Sequence, residues 1–252
     1  MFGALIGDLV GSVYEWNNYK AKDFQPLIHP RAFLTDDSVL TVAVADAFLN
    51  GRGLVECFKD WGGRYPNSDW GGRFAQWLFS DQTEPYGSFG NGAAMRVSPV
   101  ALLADSLDEV LELARQSAVV THNHPEGIKG AQATAMAIYY ARLRFDPEDI
   151  RSLVADFSGY DLSRSVDDIR PGYRFDVTCQ GSVPEALICA LEATSFEDAL
   201  RNTISIGGDS DTLAAIAGPV AEARFGIPQV IGLEAWSRVP TDMRSVIELL
   251  YA

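Results

Sequence analysis

Apolar residues return every three to four positions along most of this chain, and almost nowhere do they alternate in twos. That period marks the α-helix, in which side chains at i, i+3, i+4 and i+7 share one face. Such a chain must bury helix against helix, so an all-α fold packed around one core is expected. Residues 2–16 set Leu5, Leu9 and Val13 at spacing four, and Gly3, Gly7 and Gly11 at the same spacing. A glycine ridge costs helix propensity but lets a second backbone come close. Residues 37–50 read as a helix apolar on one face, through Leu40, Val44, Ala47 and Phe48, stopping at Gly51. Further helices are predicted over 108–120, 125–143, 147–157, 182–193, 195–206 and 211–225, with two short ones after Pro228 and Thr241. Pro125 suits a first helical turn, and Ser182-Val-Pro-Glu185 reads as a capping box. Only 173–179 alternates, weakly, as one short extended piece. The stretch 61–92, rich in Gly, Asp, Ser and aromatics, reads as a long irregular loop, a kind that tends to carry function. Without a repeat, a low-complexity tract or a Pro/Gly/Ser-rich linker, residues 1–252 read as one domain.

Thirty-four Asp and Glu against twenty Lys and Arg leave a formal charge of −14, which disfavours a nucleic-acid backbone as partner but not a small anion in a local pocket. An apolar content of 47% argues against disorder. No run approaches the ~18 apolar residues of a membrane span, and no basic, cleavable leader opens the chain. Cys57, Cys179 and Cys189 are odd in number and lack CxxC spacing. They read as buried small hydrophobes in a reducing, cytoplasmic setting.

Chemistry concentrates at two helix starts. Thr35-Asp36-Asp37-Ser38 precedes one apolar helix, and Gly207-Gly-Asp-Ser-Asp-Thr212 precedes another. Either cluster alone could simply cap its helix. Doubled carboxylates at both starts, however, cost mutual repulsion without a capping benefit. Facing each other, they would suit magnesium or manganese, which take about six oxygens. A second motif, Tyr86-Gly-Ser-Phe-Gly-Asn-Gly-Ala-Ala-Met-Arg96, places three glycines in six residues before a helix. It is either a plain turn or a backbone cradle for phosphate. Arg96 would add charge or brace the loop. Of His122 and His124, one is expected to touch a ligand or cap the helix after Pro125, whereas His29 has no assigned role. Glu15 is either a solvated helix end or a group projecting into a site.

Taken in order, Gly7-Asp-Leu-Val-Gly-Ser-Val-Tyr-Glu15, Thr35-Asp-Asp-Ser38, Gly87-Ser-Phe-Gly-Asn-Gly-Ala-Ala-Met-Arg96, Thr121-His122 with Gly127 and Gly130, and Gly207-Gly-Asp-Ser-Asp-Thr212 resemble the ADP-ribosylglycohydrolase family over nearly the whole chain. The resemblance implies a single-domain orthogonal helical bundle with a binuclear Mg2+ or Mn2+ centre. Its ligands would be Thr35, Asp36, Asp37, Asp209, Asp211 and Thr212. It also implies an ADP-ribose site at Gly87, Ser88, Phe89, Asn91, Gly92, Met95 and His122, with Glu15 and Asp209 as catalytic acid and base in either order. The implied reaction is hydrolysis of the glycosidic bond between ADP-ribose and a protein side chain or small molecule. Rival expectations are a family member that binds ADP-ribose without turnover, a metal-dependent nucleotide phosphohydrolase, and a helical structural protein. Ser38 stands where the family often has Thr, and the chain is short for the group.

Overall fold

A computed structural model describes residues 1–252. It is all-α, with no strand. The first seven helices are α1 (Phe2–Gly11), α2 (Asp36–Leu49), α3 (Leu54–Arg64), α4 (Gly72–Leu78), α5 (Gly92–Met95), α6 (Val100–Leu103) and α7 (Leu107–Val119). There follow α8 (Pro125–Arg142), α9 (Pro147–Ser158), α10 (Val166–Ile169), α11 (Cys179–Glu192), α12 (Phe196–Ile206), α13 (Ser210–Phe225), α14 (Gln229–Arg238) and α15 (Thr241–Leu250).

The glycine ridge lays α1 directly along α13. A Cβ on Gly7 would stand 2.0 Å from the Ala214 carbonyl oxygen, and one on Gly3 2.5 Å from that of Gly218. On Gly11 it would meet Asp211 Cα at 2.4 Å. This pair forms a partition: Leu5, Leu213 and Ile216 join the larger apolar core, whereas Ile6, Leu9, Ala214 and Ala221 face a smaller one with Phe196 and Leu200. Every residue of α13 from Ser210 to Ala221 is buried. The same holds for α2 from Asp37 to Ala47, so that helix is buried all round and not on the single face its sequence suggests. Helices apolar on every side belong at the centre of a bundle. No helix is long and apolar enough to cross a membrane, and the three cysteines are buried free thiols.

Several boundaries differ from the sequence reading. α1 ends at Gly11, and 12–18 form turns, so Glu15 stands beyond the helix. α4 and the last turn of α3 fall inside the stretch expected to be irregular. Their stripes (Cys57, Phe58 and Trp61; Phe74, Trp77 and Leu78) were masked by the paired glycines at 62–63 and 71–72. α11 begins three residues before Ser182. Thr178 caps it by accepting from Gly181 N at 3.1 Å, whereas the Ser182 hydroxyl donates backwards to the Asp176 carbonyl. Residues 173–177, expected with 178 and 179 to form one extended piece, carry no regular secondary structure; Thr178 makes an isolated bridge to Gly90, and Cys179 opens α11.

Candidate active site

Asp8 organises the first half of the site. It lies fully buried on α1, one residue past the ridge glycine Gly7. Its carboxylate accepts from Thr35 N at 2.9 Å, Thr35 Oγ1 at 2.8 Å, Ser38 N at 3.2 Å and the Ser38 hydroxyl. These bonds tie the start of α2 to α1. The ridge holds the start of α13 against Gly11 on the same helix, so both acidic clusters arrive at one place. Thr212 Oγ1 closes the gap between them, donating to Asp37 Oδ2 at 3.2 Å across 175 positions of sequence.

The turn into α13 runs through Gly207 (φ +70°) and Gly208 (φ +80°), backbone that L-residues with a side chain rarely adopt. Asp209 occupies the N-cap position of α13 yet makes no capping bond. Its Oδ2 accepts instead from Asn91 Nδ2 at 2.7 Å, which links this cluster to the glycine loop. Carboxylate oxygens of Glu15, Asp209 and Asp211 lie within 4.8 Å of one another.

No salt bridge neutralises these acids, although Arg73 and Arg96 line the same cavity. Burial, and after it the charge of Asp211, holds the protons of Asp36, Asp37 and Asp209 well above the ordinary range. Asp8 is pushed up to about 7 by burial and by Asp211. Glu15 is pushed up to about 8 by burial and by Asp211, Asp69 and Asp8. Asp37 Oδ1 is buried with no donor at all. Oxygen donors of this kind, short of positive charge and leaving a buried lone pair unmatched, fit hard divalent cations.

Beside the acids opens a cavity of about 380 Å³, lined on this side by Glu15, Asp36, Asp37, Asp209, Asp211 and Thr212. Ser88, Gly90, Asn91, Gly92, Met95 and His122 form the wall from the glycine loop, and Asp69, Arg73, Tyr86, Phe175 and Val177 complete the rim. The loop spends much of its backbone internally. Gly87 N donates to Asn123 Oδ1, Ser88 N to Thr121 O, Gly90 N to Ser88 Oγ and Asn91 N to Val177 O. Only part of the expected amide cradle is therefore free. His124 caps α8 by accepting from Glu126 N at 3.1 Å, while His122 faces the cavity.

Most of the expected site residues thus converge, with three exceptions. Thr35 is wholly buried behind Asp37, its hydroxyl donated to Asp8. Gly87 lies off the cavity wall, and Phe89 packs on His124 with ring centroids 5.2 Å apart. Asp8, Asp69, Arg73, Phe175 and Val177 escaped the sequence reading. Asp8 alone carried a signal, being a carboxylate in the middle of an apolar helical stripe.

Fold and site together define an all-helical protein that gathers acids from two distant helix starts against a glycine-rich loop. A family model described as ADP-ribosylglycohydrolase matches residues 1–250, and the chain belongs to that family. It is accordingly a hydrolase of glycosyl bonds. ADP-ribosylhydrolase ARH3 of Mus musculus is 26% identical over 315 aligned positions, covering 94% of this chain and 85% of the relative. ADP-ribosylarginine hydrolase Tri1 of Pseudomonas putida (strain GB-1) is 24% identical, covering 94% of this chain and 74% of the relative. A solved ADP-ribosylglycohydrolase-related protein complex shares the fold at a TM-score of 0.73 and 23% identity, covering 99% of this chain and 94% of that one. The alignment to the mouse protein is longer than the whole 252-residue chain, so that relative carries segments with no counterpart here.

Proposed function

We propose that this protein hydrolyses the glycosidic bond joining ADP-ribose to a protein side chain or small molecule, with two Mg2+ or Mn2+ ions as cofactors. The observation that carries the reading is the Thr212–Asp37 hydrogen bond beside the unmatched Asp37 Oδ1. It joins the two acidic clusters at one end of a cavity whose other wall is the glycine loop. Asp36, Asp37, Asp209, Asp211 and Thr212 would hold the ions, with Thr35 behind them. When bound, such ions neutralise the acids, engage ribose hydroxyls and acidify a water.

The chain's own residues supply the rest. Ser88, Asn91, Gly92, Met95 and His122 line the region assigned to ADP-ribose, with Gly87 and Phe89 shaping the loop behind them. Contacts to the diphosphate, remote from the scissile bond, lower the barrier by fixing the anomeric carbon against the acids. As that bond breaks, oxocarbenium character develops, and the carboxylate of Asp211 stabilises it. Asp209 takes the proton of the attacking water, and Glu15 protonates the departing acceptor. The scope of one domain over 1–252 belongs to the same reading, supported by an apolar core that draws residues from Met1 to Ile247.

The test is a panel of ADP-ribosylated proteins and small molecules, incubated with Mg2+ and analysed by mass spectrometry. Free ADP-ribose is expected from at least one substrate; Asp209→Asn should lower its release at least about a hundredfold, the scale of losing a positioned base, and Asp36→Asn should lower it sharply by weakening the ion site. Phosphate in place of intact ADP-ribose would assign a phosphohydrolase. Tight ADP-ribose binding without turnover would assign a binder.

A further inference from the structure

Behind the cavity wall lies a hydrogen-bonded chain that ends on His122. Arg96 is entirely buried, its guanidinium packed over the Phe58 ring at 4.5 Å. Its Nη2 donates to the Ser117 carbonyl at 2.8 Å and to Thr121 Oγ1 at 2.9 Å. Thr121 Oγ1 in turn lies 2.8 Å from His122 Nδ1. Both residues are buried, and the Thr121 hydroxyl meets no other partner.

The direction of each bond follows from what the groups can do. A guanidinium has donors only, so Thr121 Oγ1 must accept from Arg96. The hydroxyl has one proton of its own, and His122 Nδ1 is the one acceptor in reach. Were Nδ1 protonated, it could donate to the second lone pair of Oγ1, but the hydroxyl's own proton would then have no acceptor, and a buried O–H would go unmatched at a cost of about 1–3 kcal/mol. Nδ1 is therefore the acceptor. Burial, reinforced by the nearby charges of Arg96 and Arg73, keeps the ring neutral, its proton affinity held well below that of a free imidazole. A neutral ring that accepts at Nδ1 carries its hydrogen on Nε2. Nε2 is turned toward the glycine loop, where a Cβ on Gly92 would stand 3.2 Å from it and one on Gly90 3.5 Å.

We infer that Arg96 and Thr121 are positioning residues that lock His122 in its Nε2–H tautomer, so that the cavity presents a fixed donor to an acceptor oxygen of the ligand. The phosphoryl oxygens of ADP-ribose are such acceptors, and for that identity alone the inference rests on the proposed function. The lock discriminates by type: an oxygen without hydrogen is welcomed beside Gly92, and an N–H or ammonium at the same place meets a donor head-on. Arg96, which also lines the cavity, acts on the ligand here through Thr121 and His122, and its Nε and Nη1 have no hydrogen-bond partner of their own.

The experiment reads tautomer and affinity separately. In 15N-histidine-labelled protein without ligand, long-range 1H–15N correlation is expected to show His122 protonated at Nε2 and bare at Nδ1. Thr121→Val, which keeps the side-chain shape, should mix the tautomers and weaken ADP-ribose binding about tenfold by calorimetry, equivalent to about 1.4 kcal/mol. Thr121→Ser should restore both. His122→Gln, which keeps a side-chain N–H at the outer position, should bind better than His122→Phe. An Nδ1–H or doubly protonated ring in the wild type overturns the inference, as does a Thr121→Val protein with unchanged tautomer and affinity. If the wild type binds no ADP-ribose, the functional reading falls and the ligand-free spectrum alone decides the lock.

Discussion

Single side chains divide the labour of this site into those that face the cavity and those that hold them there. Asp8 belongs to the second kind. Its two oxygens satisfy the backbone N–H groups and hydroxyls of Thr35 and Ser38 at the mouth of α2. Replacing it by alanine strands two backbone donors in a dry interior, each worth about 1–3 kcal/mol when unmatched. Asp8→Ala is therefore expected to lose about 2–4 kcal/mol in urea titration, and to weaken Mg2+ binding as Asp36 and Asp37 lose their anchor. Full stability with unchanged metal affinity would deny Asp8 this part. Arg96 shows the same division at the opposite wall. Its type and position were legible in the sequence, and bracing was one of two roles open to it, but the choice needed Thr121 and Ser117 brought within bonding distance.

Among the helices, the decisive contact is glycine against backbone. In α1, alanine at Gly7 would gain about 1 kcal/mol of helix propensity, yet its Cβ would sit 2.0 Å from the Ala214 carbonyl oxygen. Neither backbone can step aside without parting α1 from α13. Gly7→Ala is expected to destabilise the protein by about 2–3 kcal/mol net, while Gly63→Ala in α3, where nothing lies within 4 Å, should stabilise it by up to about 1 kcal/mol. Comparison of the two by thermal melting separates packing from propensity, and equal shifts would refute the contact. The ridge was legible because spacing four is a helical signature, and the pairs Gly207-Gly208 and Asp209/Asp211 were legible because turns and cation sites use those residue types. The span of α3 and the start of α11 were not. There, paired glycines and a proline at 184 outweighed the apolar stripes locally, and burial against distant helices decided the outcome.

Across the whole molecule, a chain of formal charge −14 brings Glu15, Asp36, Asp37, Asp209 and Asp211 together where α1, α2 and α13 meet. Folding without cations must hold those acids together against their repulsion. Divalent ions that bind only the folded state add about 2.7 kcal/mol at a hundredfold excess over Kd, or roughly 5–10 °C in Tm for a chain of this size. Mg2+ or Mn2+ is expected to raise the melting temperature of EDTA-treated protein by that order. An unchanged Tm at millimolar metal would count decisively against the ion site. The same long reach between the two chain halves bears on biosynthesis. Gly7 leaves the ribosome 207 residues before Ala214, an interval of roughly 10–40 s at ordinary elongation speeds. Throughout that wait the most tightly fitting surface of α1 has no mate, so neither ion nor nucleotide can rescue it, and a chaperone that shelters exposed apolar helices would have a long opportunity there.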